Sequence, residues 1–247
     1  ENVAVVDNFS QSAGGGIFIG WDCYPEIVNS TISFNTANYG GGFYANDCSV
    51  TLQNVECYGN TAEYVGGGIH ADYYGAFSLA NTSIRNNEAG EPGGGIYAYT
   101  STFTFDANDR SDIYFNYALT GKEIYSNGLM EVIVDTFTVL NPTEYFVYHL
   151  ENFSFDILNY KLEQVNADLY VSPEGDDLNS GTTAGDPLKT INAAFSKIVA
   201  DSLNQNTVYL AEGTYGPSTN GDHFPVNVLD WVTIAGMPGH QVILHGE

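Results

Sequence analysis

The stretch Asn60-Thr61-Ala62-Glu63-Tyr64-Val65-Gly66-Gly67-Gly68-Ile69-His70-Ala71-Asp72 decides how this chain folds, because its spacing recurs along the first half of the sequence. Three glycines and a large apolar residue occur at Gly14–Gly16 with Ile17, Gly40–Gly42 with Phe43, Gly66–Gly68 with Ile69 and Gly93–Gly95 with Ile96. The intervals are 26, 26 and 27 residues. A degenerate fifth copy, Gly121-Lys122-Glu123-Ile124, follows 28 residues later. An asparagine stands five or six residues ahead of each cluster: Asn8, Asn35, Asn60, Asn87 and Asn116. An apolar residue stands three before each asparagine: Val5, Ile32, Cys57, Ile84 and Ile113. Two registers that keep step over five copies identify a structural repeat.

A period near 26 residues is too short for propeller blades, at about 40 to 45, or helical repeats, at about 33 or more. A leucine-rich repeat would need a leucine ladder that this stretch lacks. Short apolar pieces between Gly and Asn turns cannot bury themselves one coil at a time, so the coils must stack. Strands of successive coils then pair at about 4.8 Å. Ile17, Phe43, Ile69, Ile96 and Ile124 are expected to form one inward ladder, and the five asparagines a second ladder at a turn. The predicted fold is all-β, a right-handed parallel β-helix with one short capping α-helix.

Over residues 1–127 the pattern of Asn, Gly-Gly-Gly and Ile or Phe resembles the short repeat of polymorphic outer-membrane adhesins. More broadly it resembles the right-handed parallel β-helix, or pectin-lyase-like, superfamily. That resemblance implies the architecture and says little of activity, because lyases, hydrolases, adhesins and passive stalks share the fold. Leu169-Tyr170-Val171-Ser172-Pro173-Glu174-Gly175-Asp176-Asp177, running on to Asp186-Pro187-Leu188-Lys189-Thr190-Ile191, resembles the opening segment of many extracellular β-helix proteins.

Past Asn127 the repeat fades into aromatic strand-like tracts, Glu131–Leu140 and Tyr145–Ile157, suited to closing the end of a solenoid. A helix is expected after Asp186 as N-cap and Pro187 as first residue, with Leu188, Ile191, Ala194, Phe195, Ile198 and Val199 as its apolar stripe. Strands are expected at Thr207–Leu210, Trp231–Ile234 and Gln241–Leu244. Residues 1–165 thus read as the last coils and closing tract of one β-helix, and 166–247 as the cap and first coils of the next. The last residues also read smoothly into the first, the order of one register of a tandem array or filament, or of a circular permutant.

Composition narrows the function. The 247 residues carry 30 Asp and Glu against six Lys and Arg, a net charge of −24. Phosphate neutralisation needs clustered cations, so nucleic acid is excluded as a partner. No apolar run reaches the roughly 20 residues that would span a bilayer, so no membrane insertion is expected. The surface should be soluble and attract cations.

Asp22, Asp47 and Asp72 fall 25 residues apart. Stacked, neighbours would lie about 5 Å apart and the outer pair about 10 Å. Those separations suit glycoside hydrolysis of the polygalacturonase-like type. Their offsets from the ladder drift by one residue per coil, which favours solvated turns, so no catalytic residue is assigned and the protein is read as no enzyme. A lyase would need converging cations, and the six present, Arg85, Arg110, Lys122, Lys161, Lys189 and Lys197, do not cluster in sequence.

Asp176, Asp177, Asn179 and Asp186 form an oxygen-rich loop that suits Ca²⁺, with a plain Asp and Gly turn as the alternative; no cofactor is required. Cys23 and Cys48, 25 apart, are a candidate disulfide, whereas Cys57 reads as a core hydrophobe. The histidines His70, His149, His223, His240 and His245 show no ligand spacing, and His70 should face outward. Exposed aromatics such as Trp21, Tyr39, Tyr44, Tyr73 and Tyr97 suit stacking within the coil, on polysaccharide or on another subunit. Sequons stand at Asn8, Asn29, Asn81 and Asn152. The role these features favour is an extracellular or cell-surface structural module of a stalk or self-assembling filament. Self-association would run through the aromatic tract at Phe146 and Phe153. A carbohydrate-binding adhesin and a glycoside hydrolase are the alternatives.

Overall fold

The repeat becomes structure through its glycines. Gly40 has φ +63°, a conformation that L side chains avoid, and it turns the chain into the strand Phe43–Asn46. A Cβ on Gly42 would meet the Gly68 carbonyl at 2.6 Å and the Asn60 amide at 3.1 Å, so only glycine lets successive coils approach this closely. The computed structural model describes residues 1–239 and 241–246 and divides into two compact units, Glu1–Lys161 and Leu162–Glu247.

The first unit is a parallel β-solenoid. Ile17–Gly20, Phe43–Asn46, Ile69–Asp72, Ile96–Ala98, Ile124–Ser126 and Val147–Tyr148 stack in parallel as one sheet, called here the aromatic sheet. Glu26–Val28, Ser49–Gln53, Ala76–Ala80 and Thr102–Phe105 form a second sheet. A third runs from Ala4–Val6 through Thr31–Ser33, Glu56–Tyr58, Ser83–Arg85 and Ser111–Tyr114 to Met130–Phe137 and Phe153–Tyr160.

The inward ladders hold the register expected of them. Ile17 pairs with Phe43, then Ile69, Ile96, Ile124 and Val147, and all beyond Ile17 are fully buried. Val5, Ile32, Cys57, Ile84 and Ile113 align likewise and end on Phe137. Each such side chain contributes about 1.5 to 3 kcal/mol by leaving water. At a tight corner small residues stack, and Ala37, Ala62, Ala89 and Ala118 are all buried there.

The tract past Asn127 differs in one respect from expectation. Tyr145–Ile157 is not one strand: it breaks at a 3₁₀ turn, Leu150–Asn152, between Val147–Tyr148 and Phe153–Tyr160. The break lets the chain serve two sheets, the aromatic one and the third.

In the second unit Leu169–Val171, Asn206–Leu210 and Val232–Gly236 form one parallel sheet, and Gly213–Tyr215 pairs with Val242–Leu244. The helix is Ile191–Lys197, shorter than the stripe implies, although Leu188, Ile191, Ala194, Phe195 and Ile198 are all buried. Asp186 is not its cap. Thr190 is, accepting from the Ala193 amide, and the buried Asp222 carboxylate receives the Ile191 and Asn192 amides. A carboxylate on those first amides suits their positive end. No helix among the described residues is long and apolar enough to cross a membrane.

Candidate functional site

Two columns of side chains run along the first unit, and they differ in chemistry. At the glycine corner Asn8, Asn35, Asn60, Asn87 and Asn116 stack. Each side-chain carbonyl accepts from the backbone and amide nitrogens of the asparagine one coil earlier, as Asn60 Oδ1 does from Asn35 at 3.1 and 2.9 Å. Asn60 Nδ2 then donates to Asn87 Oδ1 at 2.9 Å and to the Ile32 carbonyl at 2.9 Å. The chain ends on Glu123, which accepts from Asn116 Nδ2 at 2.6 Å and from the Thr138 hydroxyl. Glu123 is 1% exposed, and burial raises its pKa to about 7. Its signal in the sequence is its place in the third-glycine slot of the degenerate fifth repeat. A second, exposed asparagine column, Asn29, Asn54 and Asn81, links amide to carbonyl at 2.8 Å per step and takes in two of the sequons.

On the outer side of the aromatic sheet Phe18, Tyr44, His70, Tyr97, Tyr125 and Tyr148 align in one row, with ring centroids 4.7 to 5.9 Å apart. His70 belongs to this outward row by alternation, yet it is only 5% exposed. The rings of Tyr44, Tyr97 and Tyr39 surround it. Neither ring nitrogen has a well-formed hydrogen bond, the Val65 backbone making only a weak approach, and Nε2 lies 3.8 Å from Asp72 Oδ2. Burial lowers its pKa to about 4, against a small opposing pull from the Val65 carbonyl, so the ring is neutral at physiological pH. The same row borders a cleft of about 400 Å³. Its apolar lining includes Phe18, Trp21, Tyr39, Tyr44 and Tyr73, and its polar lining includes Ser12, Asn46, His70 and Asp72. Burial also raises the pKa of Asp72.

The three aspartates do not stack as a set. The Asp22 amide donates to the Asp47 carbonyl and the Asp47 amide to the Asp72 carbonyl, and Asp22 and Asp47 turn at positive φ. Asp72, however, pairs with Asn46, and Tyr73, also at positive φ, takes the place equivalent to Asp47. The loop Asp22–Asp47–Asp72 therefore slips one residue between coils, and the three-carboxylate stack does not form.

The candidate disulfide pair is brought together: the Cys23 and Cys48 sulfurs lie 2.8 Å apart and are unbonded. The hydrogen bond to Cys48 and burial raise the Cys23 pKa to about 11, which keeps the Cys23 thiol protonated. Cys57 is a fully buried core residue.

The loop expected to suit Ca²⁺ directs its oxygens at its own chain. Asp177 accepts from the Lys189 and Thr190 amides, Asp186 from Ser180, and Asp176 from the Leu178 amide, while the Asn179 amide donates to the Pro187 carbonyl. Among the described residues no three His, Cys, Asp or Glu side chains gather as a metal-holding group. Phe146 is 2% exposed and so is core, not interface, whereas Phe153 is half-buried on the edge strand of its sheet. Arg110 binds Asp156 at 2.6 Å, and Arg85 binds Glu56 at 2.8 Å. His240 lies outside the described residues.

A family model described as a protein of unknown function, DUF1565, matches residues 173–240, which include the helix Ile191–Lys197 and the strands Asn206–Leu210, Gly213–Tyr215 and Val232–Gly236 that follow it. No curated protein and no solved structure matches the chain. The class is therefore set by the stacked parallel coils: the chain is a β-solenoid of the parallel β-helix type.

Proposed function

We propose that the protein is a non-catalytic structural module of the cell surface or extracellular space, part of a stalk or self-assembling filament. The observation that carries this reading is the unbroken asparagine column. The most deeply buried amides of the first unit are wholly engaged in holding coil to coil, which suits a part that must stay straight and stiff. The slip of Asp72 removes the carboxylate stack that a hydrolase would use, and a surface at −24 keeps such a module soluble and separate from nucleic acid.

Self-association is assigned to the Phe153–Tyr160 strand, an edge with unpaired backbone groups. Sedimentation velocity and negative-stain electron microscopy over a concentration series test it. The expected result is rods that lengthen with concentration and a Phe153→Glu variant that stays short with unchanged circular dichroism. Rods of one length at every concentration would reject the filament.

A further inference from the structure

The cleft beside His70 is not explained by coil stacking, and the inference drawn from it does not rest on the stalk reading. We infer that this cleft is a binding site for a neutral polysaccharide, gripping pyranose rings between Trp21, Tyr73 and the free face of Phe18.

Four observations lead there. The volume, about 400 Å³, falls in the range of about 300 to 1,000 Å³ usual for small-ligand sites. Trp21 and Tyr73 are 67% and 58% exposed, while the inner rings of the row are stacked on one another. Phe18 ends that row, with Tyr44 on one side only. The polarised C–H bonds on one face of a pyranose seat well on such negatively charged ring faces.

The polar groups select a hydroxylated ligand. His70 is buried at the cleft with neither ring nitrogen in a well-formed hydrogen bond, which makes this the least satisfied polar group of the row. A ligand hydroxyl would donate to the carboxylate of Asp72, whose side chain is 18% exposed beside His70. Asn46 and Ser12 supply further hydrogen-bonding groups at the cleft.

The charge selects a neutral one. No Lys or Arg lines the cleft, Asp72 does, and the chain carries −24, so uronates and sulfated sugars are repelled. A quaternary ammonium would suit the rings and the carboxylate, but it would leave His70, Asn46 and Ser12 unpaired.

Titration calorimetry with cellohexaose, xylohexaose, mannohexaose and chitohexaose tests the site, with hexagalacturonate and choline as contrasts. The expected result is saturable binding of at least one neutral hexasaccharide. Trp21→Ala and Tyr73→Ala should each weaken it tenfold or more, and His70→Phe, which keeps the ring row, about fivefold. Tyr24→Ala, at an exposed tyrosine outside the cleft, should leave affinity unchanged. Unaltered circular dichroism must accompany each variant. No binding by any neutral sugar, binding indifferent to Trp21 and Tyr73, or preference for hexagalacturonate or choline would overturn the assignment.

Discussion

The asparagine corner and the aromatic row of the first unit are built by the same device, one side chain repeated coil after coil, and they end in opposite states. At the corner every amide from Asn35 to Asn116 meets an acceptor, and the last one meets Glu123. On the aromatic face the row closes over His70 and leaves both its nitrogens without well-formed hydrogen bonds. A buried column with all its hydrogen bonds made is a fastening. A buried polar group left unmet beside a cleft is a place where something else completes the bonding. The comparison separates what holds the solenoid together from what it offers to a ligand.

The sharpest way to break it is Asn60→Leu. The change strips the Asn35 amides of their acceptor and removes the side-chain donor from the Ile32 carbonyl and from Asn87 Oδ1, which keeps only the backbone N–H of residue 60. With about 1 to 3 kcal/mol for each buried group left unsatisfied, the loss should exceed about 3 kcal/mol. Asn8→Leu, at the exposed end of the same column, should cost about 1 kcal/mol or less. Urea unfolding of the two variants measures the contrast.

Glu123 gives the next largest effect. Its folded pKa, about 7, is above its ordinary 4.5, so the folded state holds the proton more tightly. Its contribution is therefore full below about pH 4.5 and is lost as pH rises through about 7, a change on the order of 3 kcal/mol. Glu123→Gln should remove that decline and make the protein more stable than wild type above pH 7. Thermal melts across pH read this directly.

His70 has the opposite sign and a comparable reach. Its folded pKa, about 4, is below its ordinary 6.5, so its contribution is full above about pH 6.5 and is lost as pH falls through about 4. Between those limits the two residues tilt stability in opposing directions. His70→Phe should remove the acid-side loss while keeping the ring row, so the difference in melting temperature from wild type should narrow or reverse as pH drops from 7 to 4. A constant difference over that range would mean that His70 is not buried as a neutral ring.

Much of the fold was legible because the coil is short and its stacking one-dimensional. A glycine that cannot bear a Cβ and an asparagine that must bond to its copy one coil away both leave a mark at the period itself. Gly42 under Asn60 is the plainest case. The site was less legible. The slip that puts Tyr73 rather than Asp72 in the turn column was visible as aspartate intervals of 25 against ladder intervals of 26, but the burial of His70 beside it was not. The helix cap shows the same limit: Asp186 fits the local rule, but Thr190 caps the helix and Asp222, 31 residues beyond Ile191, supplies its first-turn acceptor.

By itself the sequence determined the parallel coils, the inward ladders of Ile32, Cys57 and Ile84, the asparagine column and a strongly acidic net charge. Each follows from spacing or from a count of charges, and both are properties of the chain alone. Only the tertiary structure decided that His70 lies buried among Tyr39, Tyr44 and Tyr97, that Glu123 closes the asparagine column, that Phe146 is core, and that Cys23 meets Cys48 unbonded. Burial is set by the neighbours that other coils deliver, and the pKa of a group follows its burial, so neither can be read from the residue or from its period.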